Sequence, residues 1–115
     1  MKPLLPTLKE TKRYVVYELI SERPAPGGER EVLRHLQATL GLFDAAKAGV
    51  LAVRYDEQAQ TGVLRCAHTS VDKLKAALLL LTNVQGVPVI PRVRGVSGIL
   101  QKTARFAPQA RTIAN

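Results

Sequence analysis

The chain has one cysteine, no long aliphatic run and, in its second half, almost no acid. A lone Cys66 can form no internal disulfide, and with only two scattered histidines, His35 and His68, it falls short of four zinc ligands. The longest aliphatic run, Ala76 to Leu81, is far shorter than the roughly 20 apolar residues of a spanning helix. No signal-like apolar stretch opens the sequence. These absences point to a soluble, cytoplasmic protein without structural metal. Beyond Glu57 the only carboxylate is Asp72, whereas a metal-dependent nuclease needs several acidic ligands for its ions. Nor does the sequence gather a nucleophile with a base, so a catalytic role for this chain is not expected.

What remains is an ordinary globular composition with a lopsided charge. At 115 residues and 46% hydrophobic content, one domain is expected. The formal net charge is +8. Residues 1–57 carry nine basic and eight acidic residues, and residues 58–115 carry eight basic and one acidic. From Gln85 onward, Arg92, Arg94, Lys102, Arg105 and Arg111 meet no carboxylate at all. So uneven a split favours a polyanionic partner, nucleic acid first, over a merely solubilising surface.

Local patterns divide the chain into a basic arm over residues 1–12, a folded domain over 13–98 and a basic C-terminal helix and tail over 99–115. The arm carries Pro3, Pro6, Lys9 and Lys12 without amphipathic period. Arg13 to Ser21 alternates as a strand. Val32, Leu33, Leu36 and Leu40 mark one face of a helix running from Glu29 to a stop at Gly41, with one further turn over Phe43 to Ala48. Gly49 to Tyr55 and Gly62 to Ala67 read as a hairpin, each strand bearing one arginine, Arg54 and Arg65. Thr69 and Ser70 can cap a second helix whose Val71, Leu74, Leu78 and Leu81 share a face until Gly86. Val87 to Val96 alternates as a strand, but Pro88 and Pro91 remove backbone donors and push it to a sheet edge. A last short helix is expected over Ile99 to Phe106.

The order β-α-β-β-α-β predicts an α+β, ferredoxin-like sandwich with two helices on one face of a four-stranded antiparallel sheet, plus the C-terminal helix. The other sheet face is then open. RNA-recognition modules of this architecture stack bases on rings in their central strands, but here the third strand offers Val63, Arg65 and Ala67, leaving Tyr14 as the only ring to serve. Binding therefore falls to cations: Lys9, Lys12 and Arg13 at the arm, Arg54, Arg65, Arg92 and Arg94 on or beside the sheet, Lys102 and Arg105 on the last helix. Gly95, Ser97 and Gly98 could offer backbone amides to a phosphate at that helix's start, or form an ordinary turn and cap. Arg65 could equally pair with Glu18 across the strands. His35 and His68 read as surface residues and Cys66 as a small core residue. Leu79 and Leu80 lie off the helix stripe and could dock a protein partner or extend the core.

The stretches VRY, TGVLRC, LKAALLLLTNVQG and RVRGVSGILQK, with the opening KPLLPTLKETKRYVVYELIS, resemble the archaeal ribonuclease P protein component 2 family. The likeness runs from about Leu4 to Phe106. Its most specific element is a Ser-Gly-Thr-Ile-Arg/Lys signature, represented by Ser97, Gly98, Ile99, Leu100, Gln101 and Lys102; Ile99 stands where the family has threonine, and the basic residue is delayed to Lys102. The resemblance implies a non-catalytic subunit of the ribonucleoprotein that removes the 5′ leader of precursor tRNA. Its RNA would be the catalyst, with magnesium acting on the RNA and no cofactor on the protein. Protein component 3 would be its partner, with two copies of each in the assembly. Two other readings compete: a free-standing RNA-binding or chaperone module, and a ferredoxin-like domain holding an anionic metabolite at the loop Pro24 to Gly28.

Overall fold

The structure, a computed structural model, describes residues 11–100 together with 103 and 104. The elements run β1 (Lys12–Ile20), α1 (Gly28–Ala48), β2 (Leu51–Asp56), β3 (Thr61–Ala67), a 3₁₀ turn (His68–Ser70), α2 (Val71–Leu78), β4 (Asn83–Val84), β5 (Val87–Pro88) and β6 (Ile90–Ser97). The main sheet has the order β2-β3-β1-β6 with every pair antiparallel, the ferredoxin-like arrangement the sequence predicts. β1 is central because its β-branched and aromatic residues suit burial on both sides, and Val15 through Leu19 are all buried. It starts at Lys12, inside the stretch read as an arm. Residues 1–10, and with them Lys9, lie outside the described residues, as do half of the expected last helix and all of the tail after it.

The core lies between the sheet and the two helices. Val15, Tyr17 and Leu19 of β1 and Leu64 and Cys66 of β3 meet Val32 and Leu36 of α1 and Leu74 and Leu78 of α2. Helix α1 opens with Glu29 and Glu31, which suit the positive end of its dipole, and closes on Gly49 in the left-handed conformation. Its interior breaks at Gly41, whose φ of 83° is non-helical, so the expected stop and further turn are two helical segments joined by a kink. Three expectations shift. Helix α2 ends at Leu78 rather than near Gly86. Val87–Pro88 does not continue into β6 but turns back on Asn83–Val84 through Gln85 and Gly86, both at positive φ, as in a two-residue type I′ hairpin. The edge strand proper begins at Ile90.

Two tyrosines dictate where glycine must stand. The Tyr17 and Tyr55 rings lie with centroids 6.2 Å apart, and a Cβ on Gly62 would sit 2.6 Å from the Tyr17 hydroxyl. A Cβ on Gly28 would likewise collide with the Tyr55 hydroxyl. Neither hydroxyl has a hydrogen-bond partner among the described residues. Burial pushes both phenols upward, aided at Tyr17 by Tyr55 and Glu29 and at Tyr55 by Glu57, Glu29 and Asp56; Tyr55 is pushed up to about 12. Because the folded state disfavours ionisation, this contribution is complete below about pH 10 and is lost as pH rises through the folded values. Denaturant melts between about pH 9 and 12 should show falling stability. The loss should shrink in a Tyr17→Phe, Tyr55→Phe variant, and an equal loss in that variant would contradict the packing described.

Candidate nucleic-acid interface

Alternation along β1 turns Tyr14, Val16, Glu18 and Ile20 away from the helices, and the strand register sets their neighbours. One row runs Leu51, Arg65, Tyr14, Ser97; the next Arg54, Val63, Val16, Gly95; the third Asp56, Thr61, Glu18, Arg92. All four sheet arginines named from the sequence are thus on one surface or its edge, but they are not equivalent.

Glu18 is only 5% exposed, and its counter-ion is Arg94, with Nη1 donating to Oε1 at 2.9 Å. The alternative pairing with Arg65 does not form. Arg65 is opposite Tyr14, four residue pairs along from Thr61, which faces Glu18. A bulge in β6 skips Arg94 between Val93 and Gly95 in the pairing with β1, which delivers its guanidinium to Glu18. Arg92, opposite Glu18 in the register, is exposed. Asp56 is taken up by its own turn, accepting from the backbone N–H groups of Gln58 and Ala59.

The face is not left open. Val16 and Val63, its central pair, are 1% and 4% exposed although both helices lie on the other side. Thr103, itself buried, reaches this side: its hydroxyl accepts from Arg54 Nη2 at 2.7 Å and donates to the Leu100 carbonyl at 2.6 Å. The chain after β6 therefore folds back across the middle of the sheet. Two β-branched side chains facing water would cost hydrophobic free energy that this cover recovers. Arg54 is exposed but tethered by that bond.

Beyond the cover, the end of the face near the start of β1 keeps its cations. Leu51 there is 50% exposed, and Tyr14 and Arg65 are partly exposed. Arg65 Nε is buried with no hydrogen-bond partner among the described residues. Lys12 shares the side of Tyr14, and Arg13, whose Nη1 donates to the Lys12 carbonyl, curls close to Gly98. Gly95 is in the ladder of β6 opposite Val16, not at a helix start. The Ser97 hydroxyl accepts from the Ile99 N–H and donates to the Ile99 carbonyl, so Ser97 closes a local turn. Lys102 and Arg105 are outside the described residues.

On the helical side, Leu79 and Leu80 are 54% and 64% exposed, in the turn that ends α2 rather than on a continuing helix. Leu42 and Phe43, just after the Gly41 kink, are 78% and 84% exposed, a feature the sequence reading missed. An aromatic next to a helix-breaking glycine was the available signal. His35 is not a plain surface residue: Nε2 donates to the Ala77 carbonyl at 2.7 Å and ties α1 to α2. Gln60, also unanticipated, joins the β2–β3 turn to the loop after β1 through the Ala25 N–H, the Leu19 carbonyl and the Ser21 hydroxyl. Between those loops lies a cleft of about 570 Å³, with Glu22 and Glu57 in its wall. Glu57 accepts from the Gly27 N–H at the start of α1, the place an anionic metabolite would use. Among the described residues no group of His, Cys, Asp and Glu is placed to hold a metal ion, and no helix is long and apolar enough to cross a membrane.

The sequence model of the Rpp14/Pop5 family matches residues 13–108. Curated proteins named ribonuclease P protein component 2 are similar over most of the chain. The Thermococcus gammatolerans protein is 39% identical, covering 90% of this chain and 88% of its own. That of Archaeoglobus fulgidus is 37% identical over 91% and 95%, and that of Methanosarcina acetivorans 38% over 92% and 81%. Among solved structures, a chain of yeast ribonuclease MRP superposes with a TM-score of 0.58 at 13% identity, covering 92% of this chain and 90% of that one. At that identity the match speaks for the fold.

The unequal standing of the arginines is measurable. Arg94→Ala leaves the Glu18 carboxylate buried without this partner and should destabilise the fold by about 3 kcal/mol, a Tm loss of roughly 10–15 °C. Arg92→Ala should change stability by less than about 0.5 kcal/mol. Thermal melts of the two variants check this, and equal small losses would contradict a structural role for Arg94.

Proposed function

The chain belongs to the Rpp14/Pop5 family, and on that premise we propose how it serves as a protein subunit of ribonuclease P: by holding the catalytic RNA through phosphate contacts. The observation that carries this reading is the end of the sheet face near the start of β1, where Arg65 and, one row further in, Arg54 stand with no carboxylate in their rows while Glu18 and Asp56 are engaged at the other end. Cations so placed neutralise phosphates and release counterions, which fixes an RNA in register without reading its bases. Arg92 extends the contact along the edge strand. Arg13, with Lys9 before it and Lys102 and Arg105 after Gly98, adds further charge along the sequence. Arg94 belongs to the scaffold that supports this surface, and Gly95, Ser97 and Gly98 shape the turn beside it.

In this account the RNA supplies catalysis with magnesium, the protein binds no cofactor, and the complex acts on precursor tRNA in the cytoplasm. The exposed apolar residues Leu79 and Leu80, with Leu42 and Phe43 on the neighbouring helix, give protein component 3 a surface to dock on, with two copies of each in the assembly. The runner-up, a general RNA-binding module, shares the electrostatics and differs in needing no particular RNA.

Single-turnover cleavage of precursor tRNA by the cognate catalytic RNA, at limiting magnesium with component 3 present, tests the proposal. Adding this protein should raise the rate at the correct 5′ site by roughly tenfold or more, and the gain should fall steeply with salt. Tight RNA binding with no gain in rate would favour the general module.

A further inference from the structure

Tyr14 is the only ring on the face turned away from the helices, among the described strand residues, and it stands in the row that keeps its cation. Its cross-strand neighbours are Arg65 on β3 and Ser97 on β6, and Arg65 is in turn opposite Leu51. Opposed residues on adjacent strands hold their Cβ atoms about 5 Å apart, so the phenol and the guanidinium rise side by side. Both are partly exposed, and the half-exposed Leu51 shows that the cover formed by Leu100 and Thr103 stops short of this row.

The polar bookkeeping of Arg65 is incomplete. Its Nε is buried without a hydrogen-bond partner among the described residues, so the fold supplies that atom no acceptor, and the partly exposed remainder of the guanidinium is where an outside acceptor can dock. The acidic groups of this face do not fill the role. Glu18, four residues along β1 from Tyr14, is held by Arg94, and Asp56 is at the far end of β2 within its own turn. Lys12 is two residues before Tyr14 on the same side and adds positive potential. An acceptor that satisfies a guanidinium edge beside a flat apolar ring is a phosphate with its base attached, because the phosphate takes the fork and the base takes the ring. A base paired within a helix has no free face to give, so an unpaired nucleotide fits and a duplex does not.

We propose that Tyr14 and Arg65 form a subsite for one unpaired nucleotide, with the base stacked on Tyr14 and its phosphate on Arg65. This deepens the RNA-holding role proposed above and rests on it. It adds what phosphate contacts lack, a preference for single-stranded segments. In the first strand of a sheet otherwise without rings on this face, one tyrosine supplies that preference alone.

The test uses the full chain with two RNA probes, a 12-nucleotide polyuridylate and a 12-base-pair duplex, in fluorescence anisotropy. Tyr14→Leu should weaken polyuridylate binding by about tenfold and duplex binding by less than about twofold, whereas Tyr14→Phe should keep both. Arg65→Gln should weaken both probes and lower the salt slope by about one, and Arg65→Lys should preserve the slope. Crosslinking of the wild-type chain to a 4-thiouridine oligonucleotide, mapped by mass spectrometry, should mark Tyr14, which guards against a folding defect in Tyr14→Leu. Equal polyuridylate affinity in Tyr14→Leu and wild type, or crosslinks that leave Tyr14 and Arg65 unmarked, would overturn the subsite. If the wild-type chain then still accelerates precursor tRNA cleavage, the subunit role stands without it; if acceleration is absent, the role itself has failed.

Discussion

A carboxylate buried in the central strand of a sheet must have its charge met, and the pairing of Glu18 with Arg94 meets it. Leaving such a group alone would cost several kcal/mol, a large part of the stability of a domain this size. The bulge in β6 exists at the residue where it brings Arg94 to Glu18, and it leaves Val93 and Val96 on the core side. With one arginine thus committed, Arg65 at the opposite end of the face has no acid in its row. The place of that arginine's charge is therefore a consequence of how the scaffold neutralises Glu18.

The broad fold was legible because it rests on periodicity. Two helical stripes and four alternating segments place the layers, and the glycines at 41 and 49 punctuate the helix as their positive φ values require. The sheet face was harder. Val16 and Val63 were visible as apolar residues on a side read as open, and that conflict pointed to a cover, but which segment supplies it depends on tertiary contact through Thr103. Likewise Arg94 and Arg92 look interchangeable in sequence. One bulged residue separates an exposed cation from a buried ion pair, and bulges leave little trace in local composition. The short hairpin through Gln85 and Gly86 went unread because glutamine is an unusual residue at positive φ.

Function follows from the same asymmetry. Family membership places the chain in ribonuclease P, and the fold distributes its two surfaces: cations and one tyrosine on the sheet side, exposed leucines and Phe43 on the helical side. An RNA and a protein partner can then be held on opposite faces at once. The His35 and Gln60 hydrogen bonds stiffen the frame between them, joining α1 to α2 and the two loops at the far end of the sheet. A rigid frame matters for a subunit proposed to position RNA through geometry and charge.

The proposed RNA surface is the Lys12, Tyr14 and Arg65 end of the sheet. Tethering a hydroxyl-radical source to single cysteines in a Cys66→Ala background locates the RNA relative to it. One cysteine replaces the exposed Leu51, beside Arg65; the other replaces Gln58, in the turn at the opposite end. In the assembled ribonucleoprotein, the probe at 51 should cut the RNA backbone at a few discrete positions and the probe at 58 should cut weakly or not at all. Strong cutting from 58 with none from 51 would place the RNA at the other end and contradict the account.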